Sequence, residues 1–447
     1  MTDFQVLSQK LLKAAKDAGA QSADVLLVDG QSVSVDVRGG ALEHAERSEG
    51  VDVGLRVLMG KKQACVSASD ISDYTLEQMA QRAVAMANEA PEDAHIGLAD
   101  PEQLATSWDV DALDLADMSE KPSSEAMQET AQEAEAAALG VKRVSKAQGA
   151  SCGWSDTRIY LAATNGFEGG YRRTGFSTSC VAISGEGLEM ERDYCGEGRA
   201  HWAHMPSAQE VGQLAGERAV AKFGSTKPPT GNYPVLFDER ISSTLIGHLL
   251  AAINGTSIIR GSSWLKDALG EQVLPKGVNL LEDPMRPRTS GAKPFDAEGL
   301  PVSARNVIND GMLTGWTLDL ASGRKLGMPS TSNASRSVGS PPSPSTGNLQ
   351  LLGGTKSRDE LIAEMGTGLL VTGLIGSTVS PTTGDYSRGA NGFWVESGEI
   401  IRPVNECTIA GNLRDMLKGI VLGNDGREHL SRVIPSLLVE RLTIAGA

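Results

Sequence analysis

Gln78-Met79-Ala80-Gln81-Arg82-Ala83-Val84-Ala85 returns, with one insertion, as Gln213-Leu214-Ala215-Gly216-Glu217-Arg218-Ala219-Val220-Ala221. Each of these helical stretches closes a unit of the same order. In the first copy, Phe4, Leu7, Leu11, Ala14 and Ala18 recur at helical steps, with Asp3 placed to cap the start and Gly19 to stop it. Strand patterns follow: the apolar run Val25 to Val28, then Val33, Val35 and Val37, then Val51, Val53, Leu55 and Val57 alternating with polar residues. Leu76, Met79, Ala80, Ala83, Met86 and Ala87 form one face of the closing helix, which ends before Pro91. The second copy opens at Pro122-Ser123, runs through Met127, Ala131, Ala134 and Ala138, and stops at Gly140. Strand-like segments occupy 142–194, and a helix from Ser207 to Phe223 ends the unit. Residues 3–90 and 122–224 therefore read as two helix–sheet–helix repeats inside one N-terminal α/β domain, 1–224.

Ser225-Thr226-Lys227-Pro228-Pro229-Thr230-Gly231 marks a boundary. Beyond it, residues 225–447 change texture. Helical periodicity is confined to 239–252 and 357–366, and short β segments joined by glycine dominate. The pattern predicts an α+β protein whose C-terminal domain is β-rich and pseudo-barrel-like. Between Pro329 and Ser345 lie seven serines and four prolines without periodicity. Such a composition cannot bury enough apolar surface to order itself, so it reads as a mobile surface loop, either a gate over a cleft or a solvated excursion.

Composition narrows the function by exclusion. Two or three domains are expected of 447 residues. Glycine is abundant at 51 residues, aromatics are only 4%, and the chain packs with aliphatic side chains. Lys+Arg 41 against Asp+Glu 56 leaves a net charge of -15, which disfavours nucleic acid and anionic membrane surfaces as partners. No run of 18 apolar residues occurs, and Met1-Thr2-Asp3-Phe4 has neither a basic nor an apolar leader character, so a cytoplasmic location is expected. Five cysteines stand singly at 65, 152, 180, 195 and 407, which suits neither a disulfide framework nor a thiolate zinc site. Walker, dinucleotide-binding and nucleophile-elbow motifs are absent.

Among six histidines, His201 and His204 have ligand-like spacing but no acidic or cysteine neighbour at a matching offset. His429 lies in a polar stretch and reads as a surface residue. His248 sits on the apolar helix Ile241-Ser242-Ser243-Thr244-Leu245-Ile246-Gly247-His248, where a lone histidine is ordinarily a core residue.

The C-terminal half carries Thr383-Gly384-Asp385-Tyr386-Ser387-Arg388-Gly389-Ala390-Asn391-Gly392-Phe393-Trp394-Val395-Glu396, then Gly398-Glu399-Ile400 and Thr408-Ile409-Ala410-Gly411-Asn412-Leu413. These segments closely resemble the TldD/PmbA family, once called modulators of DNA gyrase and understood as peptidases. Gly366-Thr367-Gly368-Leu369-Leu370-Val371-Thr372, Pro294-Phe295-Asp296-Ala297-Glu298-Gly299 and Gly423-Asn424-Asp425 look like parts of the same pattern. The resemblance spans essentially the whole chain.

That resemblance implies a choice between two branches. The catalytic TldD branch carries H-E-x-x-x-H, two histidines for zinc and a glutamate as general base, with a cysteine near the C-terminus. Here the matching positions are Ser243, Thr244 and His248, and no cysteine follows Cys407. One imidazole cannot hold a catalytic zinc, and neither Ser243 nor Thr244 can act as the base. The chain therefore resembles the PmbA branch, also called TldE. The resemblance implies a non-catalytic subunit of a TldD-type zinc metallopeptidase complex handling unfolded or short peptides, with zinc in the partner and no cofactor of its own. The alternative is an independent peptide-binding or scaffold homodimer. Extended peptides commonly add to sheet edges, and Asp385, Arg388, Phe393 and Trp394 are candidate interface or peptide-contact residues. For Asp385 and Arg388, a local salt bridge under a turn is the competing reading.

Overall fold

The computed structural model describes residues 3–447. Helix α1 (Phe4–Asp17) is capped by the Asp3 carboxylate, which accepts from the Gln5 and Val6 amides at 3.0 and 3.2 Å. It buries Phe4, Leu7, Leu11 and Ala15. Three strands follow, β1 (Ser22–Arg38), β2 (Ala41–Met59) and β3 (Lys62–Ala68), before α2 (Asp73–Glu89). The order then repeats as α3 (Ser124–Gly140), β4 (Val144–Ala163), β5 (Glu168–Ser184), β6 (Glu191–Arg199) and α4 (Ala208–Ala221).

The two repeats merge into one six-stranded antiparallel sheet in the order β3-β2-β1-β4-β5-β6. The seam is β1 against β4, from Asp24 opposite Ala163 to Val37 opposite Ala150. Because β1 is 17 residues long, it serves both halves. Its start (Ala23, Val25, Leu27) packs under α1 and α2, and its end (Val35, Val37) packs under α3 and α4. These are odd-numbered positions, so both helix pairs cover the same face. The second pair packs especially closely. A Cβ at Gly212 would lie 1.9 Å from the Ala134 carbonyl oxygen, so only glycine fits there.

The C-terminal part closes a five-stranded ring. Strands β7 (Gly231–Phe237), β8 (Gly368–Val379), β9 (Asp385–Glu396), β10 (Glu399–Asn412) and β11 (Leu437–Ala445) bond in the order β10-β9-β8-β7-β11. The ring shuts where Thr408, Ile409 and Ala410 pair with Ala445, Ile444 and Thr443. Helix α5 (Glu239–Ala252) leaves β7 and packs Leu245, Ile246 and Leu249 with Val235, Phe237, Val371, Tyr386 and Trp394. On the alternate strand face, Leu236, Leu370, Val395 and Leu438 meet Leu361, Ile362 and Met365 of α6 (Arg358–Met365). A second sheet of five short strands runs Met312–Leu313, Arg305–Asn309, Asn279–Glu282, Leu349–Leu352 and Arg432–Val433. The molecule is α+β with a β-rich C-terminal region. No helix among the described residues is long and apolar enough to cross a membrane.

The Ser/Pro segment departs from expectation. It is pinned against the sheet face opposite the helices rather than left as a solvated excursion. Arg336, 2% exposed, forms an ion pair with Asp24 of β1, which Arg56 also contacts through Nε at 2.7 Å. Burial alone would raise the Asp24 carboxyl, but the two guanidiniums outweigh it and hold it below its ordinary value. Asn333 is buried and donates to Glu282 at 2.8 Å. Val338 lies against Gly54 so closely that a Cβ there would sit 2.1 Å from the Val338 oxygen. The segment lacks apolar content of its own, and the sheet supplies the carboxylate and the glycine that order it.

Candidate functional site

Helix α5 begins where Asp238 caps it, accepting from the Arg240 amide at 3.2 Å. Ser242 is buried and its hydroxyl donates to the Ile434 carbonyl at 3.2 Å. Of the three motif positions, Ser243 and Thr244 are half-buried, and the Thr244 hydroxyl turns back to the Ile241 carbonyl at 2.7 Å. Neither presents a basic atom. His248, about one helical turn beyond Thr244, meets the Tyr386 ring edge-to-face with centroids 5.9 Å apart. Its Nε2 is buried without a hydrogen-bond partner among the described residues. Burial, reinforced by the Arg388 guanidinium, holds the imidazole below its ordinary pKa.

These residues do not fit a catalytic zinc, which takes three protein ligands and an open position. The helix offers one imidazole, and the charge facing it is the cation of Arg388. Among the described residues no three His, Cys, Asp or Glu side chains gather anywhere in a way that could hold a metal ion. Cys407 is buried on β10, donates to the Ala390 carbonyl at 3.2 Å, and burial pushes its thiol up to about 11. His201 and His204 flank a single 3-10 turn, Trp202–His204, with ring centroids 5.3 Å apart. The structure brings Asp114 to His201, 3.0 Å from Nε2, a partner 87 residues away that local spacing could not reveal.

The four residues proposed as a contact surface separate. Asp385 accepts from the Thr383 hydroxyl at 2.6 Å and from Asn412 at 3.0 Å, bonds that hold its carboxyl below the ordinary value. Arg388 donates to the Gly376 carbonyl at 2.7 Å, so the two do not pair with each other. Trp394 is 2% exposed, donates to Glu396 at 2.9 Å and packs against Tyr233. Only Phe393 lines an open cleft, of about 540 Å³, shared with Thr372 and Ile400.

That cleft lies between the second repeat and the barrel, and its floor is an ion network. Asp193 of β6 takes Lys222 at 3.0 Å and Arg240 at 3.3 Å. Asp238 takes Arg240 and Arg358, both at 3.2 Å. Asp193 is nearly buried, yet the two cations keep its carboxyl below the ordinary range against the cost of burial. Nothing in the sequence singles out these residues, which come from four separate elements.

Comparison with known proteins decides the family. The family model described as the PmbA/TldA metallopeptidase C-terminal domain matches residues 230–446. The models for domain 1 and the central domain match 23–87 and 117–223. The chain is 35% identical to Metalloprotease PmbA of Escherichia coli O157:H7 over 446 residues, 99% of this chain and 96% of that one. The chain belongs to the PmbA/TldD metallopeptidase family. Its fold is shared with a crystal structure from Bacteroides thetaiotaomicron, a candidate modulator of DNA gyrase, at TM-score 0.91, 27% identity and 99% coverage of both chains. TldE from Thermococcus kodakarensis has the same fold at TM-score 0.85 and 17% identity, covering 98% of this chain and 99% of that one. In this chain His248 of helix α5 is a packed imidazole, set against the Tyr386 ring.

Proposed function

We propose that this chain is the non-catalytic, PmbA/TldE-type subunit of a zinc metallopeptidase complex that processes unfolded or short peptides in the cytoplasm. The observation that carries the reading is the environment of His248: one imidazole, beside a guanidinium, on a helix whose other motif positions are Ser243 and Thr244. Water activation needs a metal held by three ligands and a base to take the proton. Helix α5 supplies neither, so a TldD-type partner supplies both. The likeness to Metalloprotease PmbA over nearly the whole chain supports the branch.

In this reading residues 1–224 and 225–447 act as two domains, and the Phe393 cleft between them is the surface offered to an extended peptide. Arg388 serves the fold beside His248 rather than the peptide. Co-expression with a TldD-type subunit, followed by native mass measurement, tests the assembly. A stable species containing both chains is expected. Two chains that elute and weigh separately under all conditions would count against the complex.

A further inference from the structure

A separate cavity of about 410 Å³ opens where the second repeat meets the turns at Arg288–Ser290 and His429–Ser431. Arg173, Arg199, Arg288 and His429 line it. In a chain of net charge -15, none of its described lining residues is an aspartate or glutamate. The nearby carboxylates are engaged at its edge. Glu197 takes Arg199 at 2.9 Å, Arg427 at 2.7 Å and His429 at 3.3 Å. Asp114 takes Arg288 at 2.5 Å and His201 at 3.0 Å.

Arg173 is different. Its two terminal nitrogens donate to the backbone carbonyls of Ser290 and Ala292, at 2.8 and 2.6 Å. Its Nε is buried and has no acceptor among the described residues, and no carboxylate there comes within ion-pair distance. The Tyr171 ring lies 5.5 Å from the guanidinium carbon, yet neither the ring nor the carbonyls bring a full negative charge to this half-buried cation. Arg288 adds a second sign of a built site. Its φ is +59°, a left-handed backbone that non-glycine residues rarely adopt, and among the described residues it lines the cavity with only its Nε engaged, by Asp114. Phe176, 4% exposed, and Leu430 supply an apolar wall.

We infer that this cavity binds an organic carboxylate carrying a small apolar group, with the anion on Arg173 and Arg288 and the apolar part against Phe176 and Leu430. A guanidinium matches a carboxylate bidentately, and the volume suits a small ligand. The carboxylate belongs either to a free acid or to the C-terminus of a peptide. The inference concerns this chain alone and does not depend on a partner subunit.

Calorimetric titration of the full chain tests it, using N-acetyl-leucine, N-acetyl-leucinamide, an N-acetylated tetrapeptide ending in leucine with a free carboxylate, and inorganic phosphate. Both acids should bind with one-to-one stoichiometry, and the amide at least about tenfold more weakly, the worth of one charge-assisted contact. A tetrapeptide tighter than N-acetyl-leucine identifies a peptide end; equal affinities identify a free acid. Arg173→Gln and Arg288→Gly should each weaken the acids by a similar factor. Arg288→Gly is the safer variant, because glycine accepts the positive φ and the fold should melt as the wild type does. Amide binding equal to acid binding, phosphate tighter than either acid, no binding of either acid, or acid binding unchanged in Arg288→Gly would each overturn the inference.

Discussion

The imidazole of His248 stands edge-to-face against the phenol ring of Tyr386, centroids 5.9 Å apart and planes inclined at 72°. The contact joins helix α5 to strand β9. Burial pushes the Tyr386 hydroxyl up to about 12 against the pull of Arg388, and burial first, then Arg388, lowers His248. The lowered imidazole and the raised phenol both favour the uncharged ring. Their geometry is that of aromatic packing, in which a ring edge meets a ring face.

If His248 only packs, an aromatic ring without nitrogen should replace it. His248→Phe removes a buried, unpartnered Nε2 and keeps the ring contact. Stability to urea should be unchanged or higher by about 1 kcal/mol, since an unsatisfied buried polar atom is itself costly. Peptide cleavage by the assembled complex should not change. Loss of that cleavage with an intact fold would show that the imidazole has a chemical role.

Restoring the motif should not restore the chemistry. Ser243→His with Thr244→Glu returns one histidine ligand and a base to α5, but Arg388 still faces the site and Cys407 stays buried on Ala390. No zinc-dependent peptide cleavage by the double variant alone is expected. Turnover that a chelator abolishes would show a more complete site than the one described.

The Ser/Pro segment is anchored by a charge, so removing the charge it binds should be severe. Asp24→Asn leaves Arg56 and Arg336 buried together without their carboxylate, at a cost of about 3–5 kcal/mol in unfolding free energy. Limited proteolysis should then cut within 329–345, where the wild type resists. A variant as stable and as resistant as the wild type would contradict the anchoring.

Glu298 sets a pH dependence. Burial, and then the neighbouring Asp296, raise its carboxyl from 4.5 to about 8. Below 4.5 the folded and unfolded chains both hold the proton, and Glu298 contributes nothing. Between 4.5 and 8 the unfolded chain releases a proton that the folded chain keeps, so stability falls as pH rises; above 8 the loss is complete. Glu298→Gln can still accept from the Leu320 amide, a bond of 2.9 Å, and has no proton to lose. Its melting temperature relative to the wild type should climb from pH 5 to pH 8. A constant difference across that range would contradict the shift.

Much of this architecture was legible in the sequence because local signals carried it. Asp3 and Ser207 cap helices where their side chains predict, and the repeated closing helices fold against equivalent sheets. The family was legible in the glycine-rich segments of the C-terminal half, which the family model for residues 230–446 matches. What escaped was long-range. The joining of β1 to β4 has no sequence marker, because a strand that serves two cores looks like two short strands divided by polar residues such as Gln31 and Ser32. Arg336 finds Asp24 across 312 residues, so a segment with no core of its own appeared unable to order itself. Asp385 and Arg388 sit close enough in sequence to pair, yet three residues apart on β9 they point to opposite faces, and each bonds elsewhere. His429, polar in sequence context, is half-buried against Glu197 at the edge of the arginine-lined cavity, whose residues come from separate strands and turns.

If this chain is the non-catalytic subunit, peptide bonds are cut only when a zinc-bearing partner is present. The most direct measurement compares cleavage of an unfolded peptide by this chain alone, by a TldD-type subunit alone, and by their mixture, with and without a chelator. No cleavage by this chain alone is expected, with activity in the mixture well above the partner alone and abolished by chelation. Chelator-sensitive cleavage by this chain alone, together with stoichiometric zinc in it, would contradict the account.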